Sequence, residues 1–374
     1  SFHRCPRATQ GKSLDFKGWH YTHGTMVMPV IWLIDAYRAG ERGQVRALVD
    51  ALGWPCETRV LDYRKQVFLP HLLGRASVRG ITAESAATLR PPWPDLVVSC
   101  GVRNEPVCRW IRAQSGGRTR YVHVGRPWAA LDSFDLVITT PQYRVPPRAN
   151  VLNNVLTLHS VTPQRLEEAR QQWADTFEAL PRPHFAVIAG GNSGPFTLGP
   201  KAATRLAQQA CRLAREHGGS VLVSTSSRTS EAAVNAMRAV LDVPNYFYDW
   251  QPPDAANPYL GIVACADRLI VTGDSIPMLS ESCATGKPVH MFDLGGMRGG
   301  DFGDTDFRLG AILYRALMRW GWQPLSRDIT LVHSQLRAAG RAMWLDELLV
   351  SALTPVESDL QRAVTAVHDL LGEV

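Results

Sequence analysis

The chain lacks the short motifs that mark several enzyme classes, and each absence removes one. Neither GxGxxG nor a Walker A signature follows any strand-like run, which argues against a nicotinamide dehydrogenase and a P-loop nucleotidase. No GxSxG elbow occurs, which argues against an α/β-hydrolase. The 11 histidines form no HxH or HExxH pair, and Cys5, Cys56, Cys100, Cys108, Cys211, Cys265 and Cys283 form no CxxC. No metal and no resident cofactor are therefore expected. Scattered cysteines within apolar runs read as reduced, buried thiols of a cytosolic protein. No apolar run approaches the roughly 20 residues of a membrane-spanning helix. Residues 1–27 are basic in places but have no continuous apolar core, so they read as a surface arm and not a signal peptide.

What is present is a globular composition. Of 374 residues, 45% are hydrophobic and 20% charged, enough for two or three domains with large cores. The net charge of +6 hides an asymmetry. Residues 1–164 hold 21 Lys and Arg against 11 Asp and Glu, while residues 165–374 hold 19 against 23. A basic first half suits an anionic membrane surface or a phosphorylated acceptor. A GC-rich genome gives the same arginine bias with no functional meaning. Nucleic acid is not expected as a partner.

Strand-like and helix-like stretches alternate along the chain. Apolar runs at 30–34, 56–61, 95–100, 121–124 and 136–139 predict strands, and 45–52 and 105–115 predict helices. A polar helix at 163–181 precedes Pro181-Arg182-Pro183, and the alternation then restarts. Strands are expected at 184–189, 221–223, 246–248, 269–272 and 289–292, with helices between them. Another helix is expected over 309–320, and the tail 329–374 reads as helical. The layout predicts two tandem Rossmann-like, doubly wound α/β domains facing across a cleft. The expected divisions are an arm at 1–28, a first domain at 29–160, a linker at 161–183, a second domain at 184–306 and C-terminal helices at 307–374 packing across both.

In open parallel sheets, ligands bind beyond the carboxyl ends of the strands. The second half places four turns of small polar residues there: Gly190-Gly191-Asn192-Ser193-Gly194, Thr225-Ser226-Ser227-Arg228-Thr229, Asp249-Trp250 and Gly273-Asp274-Ser275. The last opens a helix containing Pro277, Met278, Leu279 and Glu281. Helix amino termini present unpaired N–H groups at the positive end of the dipole, so such a turn is a ready anion site. Asp274 or Ser275 is expected to cap that helix. Arg228 is the expected counter-charge for a phosphate, and Glu281, two turns in, is placed to reach a ribose diol.

The first half ends its strands at Asp35, Gly101 and Gly125. Asp35 reads first as a cap on the next helix and second as a general base facing the cleft. Tyr37, Arg38, Arg103, Asn104 and Arg126 are candidates for binding an acidic acceptor. Asp304-Thr305-Asp306 is literally a DxD, but in a glycine-rich loop it reads as solvated. His123 and His290 fall in strands and read as hydrogen-bonded core residues.

Several segments together resemble a known family. VIWLIDAYRAGERGQVRALVDALGWP, PWPDLVVSCG, GGRTRYVHVGRP, FDLVITTPQYR and NVLNNVLTLHSVTP in the first half are similar to the mitochondrial-fission ELM1 family. LPRPHFAVIAGGNSGPF, REHGGSVLVSTSSRT and NPYLGIVACADRLIVTGDSIPMLSESCATGKPVHMFDL continue the resemblance, which spans about residues 29–294 in order. The family name comes from a protein that recruits a division protein. Its bacterial members resemble GT-B glycosyltransferases, distantly those of the MurG type. The resemblance implies a metal-independent transferase whose second domain holds a nucleotide-sugar, UDP-linked, and whose first domain holds a cell-envelope glycolipid or polysaccharide on the inner face of the cytoplasmic membrane. By the same resemblance, Gly190 to Ser193 match the first donor-side turn, Ser275, Met278 and Leu279 flank base and diphosphate, and Glu281 holds the ribose. The turn Ala36-Tyr37-Arg38-Ala39-Gly40 departs from the family's usual Gly-Lys-Ala-Gly-like sequence, which puts the acceptor in question. The alternative is a non-catalytic scaffold that recruits a protein to a membrane. A nucleotide-sugar epimerase is a third reading, against which the missing GxGxxG counts.

Overall fold

The computed structural model describes residues 21–22, 25–26, 28–64, 76–252, 256–298, 306, 309–320, 327–347 and 358–372. Most of the amino-terminal arm, Cys5, Asp304 and Thr305 lie outside these. A short antiparallel ladder pairs Tyr21–Thr22 with Thr25–Met26. The first sheet follows. Its elements are β1 (Ile31–Ile34), α1 (Ala39–Leu52), β2 (Cys56–Arg59), α2 (Ala83–Ala87), β3 (Leu96–Cys100), α3 (Glu105–Gln114), β4 (Arg120–Val124), β5 (Leu136–Thr139) and β6 (Val151–Asn153). The strands lie in the order β2-β1-β3-β4-β5-β6, all parallel.

The second sheet repeats the plan. It comprises β7 (His184–Ile188), α5 (Pro200–His217), β8 (Ser220–Ser224), α6 (Glu231–Val240), β9 (Asn245–Tyr248), α7 (Tyr259–Cys265), β10 (Arg268–Thr272), α8 (Ile276–Cys283), β11 (Val289–Phe292) and β12 (Met343–Trp344), with α4 (Pro163–Glu178) ahead of it. Its order is β9-β8-β7-β10-β11-β12, again all parallel. The chain is thus α/β, with two doubly wound six-stranded sheets in tandem.

Continuous apolar runs become central strands because both faces of each sheet are covered. Ile31, Trp32, Leu33 and Ile34 are all buried, as are Leu269, Ile270 and Val271. Each such side chain contributes about 1.5–3 kcal/mol on burial. The stretch expected as a linker is a core helix: Leu166, Ala169 and Phe177 of α4 join the second core. A Cβ on Gly261 in α7 would fall 2.4 Å from the Trp173 ring of α4, so glycine lets the two helices touch.

Two edge strands escape the sequence pattern. β6 has three residues and β12 two, too few for alternation to register. β12 corrects the expectation of an all-helical tail: Met343 and Trp344 pair with β11 before the chain crosses back. After α9 (Leu309–Trp320), α10 (Thr330–Ala338) buries Val332 and Leu336 in the second core, whereas α11 (Asp359–Gly372) buries Ala363, Val364 and Val367 against the first. Among the described residues no helix is long and apolar enough to cross a membrane. Cys100, Cys108, Cys211, Cys265 and Cys283 are buried thiols, while Cys56 is exposed.

One carboxylate ties α11 to the interdomain segment. Asp359 accepts from Val155 N at 3.3 Å and Leu156 N at 2.9 Å, and its own carbonyl takes Asn154 Nδ2 at 3.2 Å. Asp359→Ala strands two backbone donors, Leu156 N buried and Val155 N part-buried, and a stability loss of about 2 kcal/mol is expected in urea unfolding.

Candidate functional site at the two facing sheet edges

Each strand order contains one reversal, and the site residues collect there. In the second sheet the chain runs outward through β7, β8 and β9, then restarts at β10 on the other side. The crevice between β7 and β10 is the point where such folds bind ligands. In the first sheet the reversal lies between β1 and β3.

At the second reversal the turns after β7, β8 and β10 interlock. Gly191 N donates to Asp274 Oδ2 at 3.0 Å, and Gly190 N donates to Thr272 Oγ1 at 2.8 Å. Ser226 Oγ and Thr229 Oγ1 both donate to the Gly190 carbonyl, each at 2.6 Å. Arg228 Nη1 reaches Asp274 Oδ2 at 3.0 Å and the Asn192 carbonyl at 3.3 Å. Neither glycine has room for a side chain unless a neighbour moves. A Cβ on Gly191 would meet the Arg228 carbonyl oxygen at 2.1 Å, and one on Gly190 would meet the Asp274 carboxylate at 2.5 Å.

The helix expected to be capped by Asp274 or Ser275 is capped by neither side chain. Ser275 is the N-cap but makes no side-chain cap bond, and Asp274 turns to Gly191 and Arg228 instead. Pro277 in the first turn has no N–H to satisfy, which lowers the need for a cap. Asp274 is fully buried, and desolvation raises its carboxyl above the ordinary range against the pull of Arg228. Among the described residues its Oδ1 has no hydrogen-bond partner. The Gly273 carbonyl accepts from His333 Nε2 at 2.7 Å, so α10 braces the turn from behind.

The remaining donor-side candidates separate. Ser193 closes a small hairpin with Phe196, Asn192 Oδ1 accepts from Leu198 N at 3.0 Å, and Ser227 is exposed. Thr225 Oγ1 accepts from Trp250 N at 2.8 Å, which holds β9's end beside β8's. Pro277 and Met278 are half-buried. Leu279 is wholly in the core and its N–H bonds Ser275, so it has nothing to offer a ligand. Glu281 accepts the Tyr259 hydroxyl, and burial raises its carboxyl too. Of the DxD, Asp306 is no solvated loop residue: it caps α5 through Lys201 N at 3.2 Å and Ala202 N at 2.9 Å.

At the first reversal Asp35 is held by Arg42 at 3.0 Å and Arg46 at 4.0 Å. Asn104 is buried. Its amide donates to the Ile34, Asp35 and Cys100 carbonyls at 3.3, 3.1 and 3.2 Å, and Tyr63 donates to its oxygen. It is thus a stitch between β1 and β3 and is closed to an acceptor. The residue that occupies the crevice is Glu41. Its Oε2 lies 2.9 Å from where a Cβ on Gly101 would sit, and Arg38 approaches its Oε1 at 3.8 Å. Burial raises its carboxyl even against the positive charges of Arg38, Arg126, Arg327 and Arg103, which pull it down. Arg103 lies over the Tyr37 ring at 4.3 Å, and Arg126 lies 5.9 Å from the Tyr143 ring centre. Arg38, Arg103 and Arg126, each a candidate from the sequence, thus act on one carboxylate that the sequence did not single out. Glu41 sits in the first turn of α1, where an acid reads as an ordinary complement to the helix dipole. Arg327, from a far segment, carries no sequence signal.

The two edges touch. A Cβ on Gly40, which opens α1, would stand 3.9 Å from Pro277 Cγ, which opens α8. Thr157 binds Ser280 of α8 through both N (3.1 Å) and Oγ1 (2.8 Å), and Arg144 pairs with Asp328 at 2.6 Å.

A family model described as mitochondrial fission ELM1 matches residues 39–305. The mitochondrial fission protein ELM1 of Arabidopsis thaliana is 29% identical over 240 residues, 58% of this chain and 55% of that protein. The chain thus spans about half the length of that plant relative. The uncharacterized protein RP120 of Rickettsia prowazekii (strain Madrid E) is 24% identical over 293 residues, 70% of this chain and 82% of that one. Among solved structures, MurG of Acinetobacter baumannii is similar with a TM-score of 0.43 and 13% identity, covering 92% of this chain and 99% of that one.

Proposed function

The chain belongs to the mitochondrial fission ELM1 family, and on that premise we propose that it is a glycosyltransferase that uses a nucleotide-sugar, UDP-linked, without a metal ion. The carrying observation is the apposition of two sheet reversals, α1 and α8 meeting where Gly40 faces Pro277. One crevice suits the donor and the other the acceptor, with the transferred group between them. On this reading the donor lies over Gly190, Gly191 and the start of α8, with Asp274 Oδ1 as an unused acceptor for a ligand hydroxyl. Glu281 takes the ribose. N–H groups at the start of α8 stabilise the diphosphate as it departs.

In the transfer, the acceptor oxygen bonds to the anomeric carbon. That carbon's bond to the diphosphate breaks, and its electron pair leaves with the nucleoside diphosphate. The hydroxyl proton passes to a carboxylate on the first-domain edge. Glu41 suits that role better than Asp35, because Asp35 already lies against Arg42 and Arg46 whereas burial raises Glu41's affinity for a proton. The acceptor is an anionic envelope glycolipid or polysaccharide, met at the inner membrane face by the basic first half.

Calorimetric titration with UDP, GDP and CMP tests the donor half. One of them is expected to bind, and Glu281→Ala to weaken it at least about tenfold. Binding of none of the three would sink the transferase reading and leave the scaffold.

A further inference from the structure

The first-domain edge carries more positive charge than its own carboxylates neutralise. Arg38 precedes α1, Arg126 follows β4, and Arg327 leads into α10, so three distant segments bring guanidinium groups to one carboxylate, Glu41. The neighbouring acids are taken. Asp35 pairs with Arg42 and Arg46, and Asp328 pairs with Arg144. Arg327 is aimed rather than loose, since its Nε donates to Gln142 Oε1 at 2.8 Å. Arg126 is half-buried, and burial together with the like charges of Arg327 and Arg38 holds its guanidinium below the ordinary value. Tyr143, half-buried beside the same groups, adds a hydroxyl. With Arg103 over the Tyr37 ring, four arginines act on one carboxylate and leave three positive charges, enough for one phosphate monoester dianion. Desolvated like charges repel, and an anion of that size would relieve them.

We propose that Arg38, Arg126 and Arg327 form the binding site for a phosphate group carried by the acceptor. This rests on the transferase reading for the word acceptor, but the phosphate site itself does not. The chemistry is a phosphate monoester beside a sugar or lipid hydroxyl: the guanidinium forks take the phosphate oxygens, and Glu41 faces the hydroxyl next to it. Glu41 then competes with the phosphate for the same arginines.

The test is calorimetric titration of the full chain with inorganic phosphate, glucose 1-phosphate and glucose at low ionic strength. Wild type is expected to bind the two phosphates and not glucose. Arg126→Gln and Arg327→Gln are each expected to lose at least about tenfold in affinity for both. Arg215→Gln removes an equal charge from an exposed pair with Asp242, and no change is expected. Glu41→Gln removes the competing charge and is expected to tighten phosphate several-fold, a gain that a misfolded variant cannot produce. Unchanged affinity in both arginine variants, weaker binding in Glu41→Gln, or equal binding of glucose would each overturn the proposal. Titration of the same variants with UDP separates it from the donor reading: arginine-dependent phosphate binding in a chain that binds no nucleotide would leave the phosphate site standing and remove the donor site.

Discussion

Gly191→Ala is expected to cost about 3 kcal/mol of stability and to abolish nucleotide binding. The added methyl group would lie 2.1 Å from the Arg228 carbonyl oxygen and 2.5 Å from its carbonyl carbon, so backbone must give way to backbone. Moving the Arg228 turn pulls its guanidinium from Asp274 and loosens Ser226 and Thr229, which both hold the Gly190 carbonyl. Two neighbours serve as contrasts. At Gly190 the obstacle is the Asp274 side chain, which can rotate at the expense of its bond to Gly191. A smaller stability loss with a similar loss of binding is expected there. At Gly194 an added Cβ meets open space and pays only for a φ of +57°, about 1 kcal/mol. Urea unfolding and UDP titration of the three variants give the ranking. A Gly191→Ala protein that binds nucleotide like wild type would take this turn out of the donor site.

That interlock explains how far the sequence could be read. The strands were legible because central parallel strands are continuous apolar runs, and the turns because small polar residues stand at their carboxyl ends. Both properties are local. What the turns bind is not local. Arg228 looks like a phosphate ligand in isolation, yet in the fold it faces Asp274, 46 residues on. Asn104 looks like an acceptor contact and is spent on three backbone carbonyls. Leu279 lies next to half-buried Met278 but points the other way, into the core. Glu41 was hidden for the opposite reason: its position in a first helical turn has a sufficient local explanation, and only the arrival of Arg126 and Arg327 from elsewhere gives it another. Pairings set by tertiary approach leave no periodic trace, so the fold class was readable and the allocation of polar groups within the site was not.

The brace behind the donor turn carries a pH signature. His333 Nε2 meets a carbonyl, that of Gly273, and must be the donor. Nδ1 is then the bare nitrogen, buried with no partner among the described residues. Protonating it would bury an unpaired N–H and a charge, and burial pushes the His333 pKa down to about 4 from 6.5. The folded state is therefore neutral here between pH 6.5 and 4, while the unfolded chain takes up a proton. This group's contribution is lost as pH falls through that window, at about 1.4 kcal/mol per pH unit. His123 and His290, also pushed to about 4 by burial, act in the same direction. Glu105 acts in the opposite one: burial raises it to about 7, so it favours the fold as pH falls toward 4.5, and Glu41, Asp274 and Glu281 share that sign. The wild-type slope mixes these terms, but a variant isolates one. His333→Gln keeps a donor for the Gly273 carbonyl and removes the titration. Relative to wild type it is expected to gain about 2 kcal/mol in urea unfolding between pH 6.5 and 5. Parallel stability curves for the two proteins across that range would mean that His333 is charged in the fold and does not brace the turn as a neutral donor.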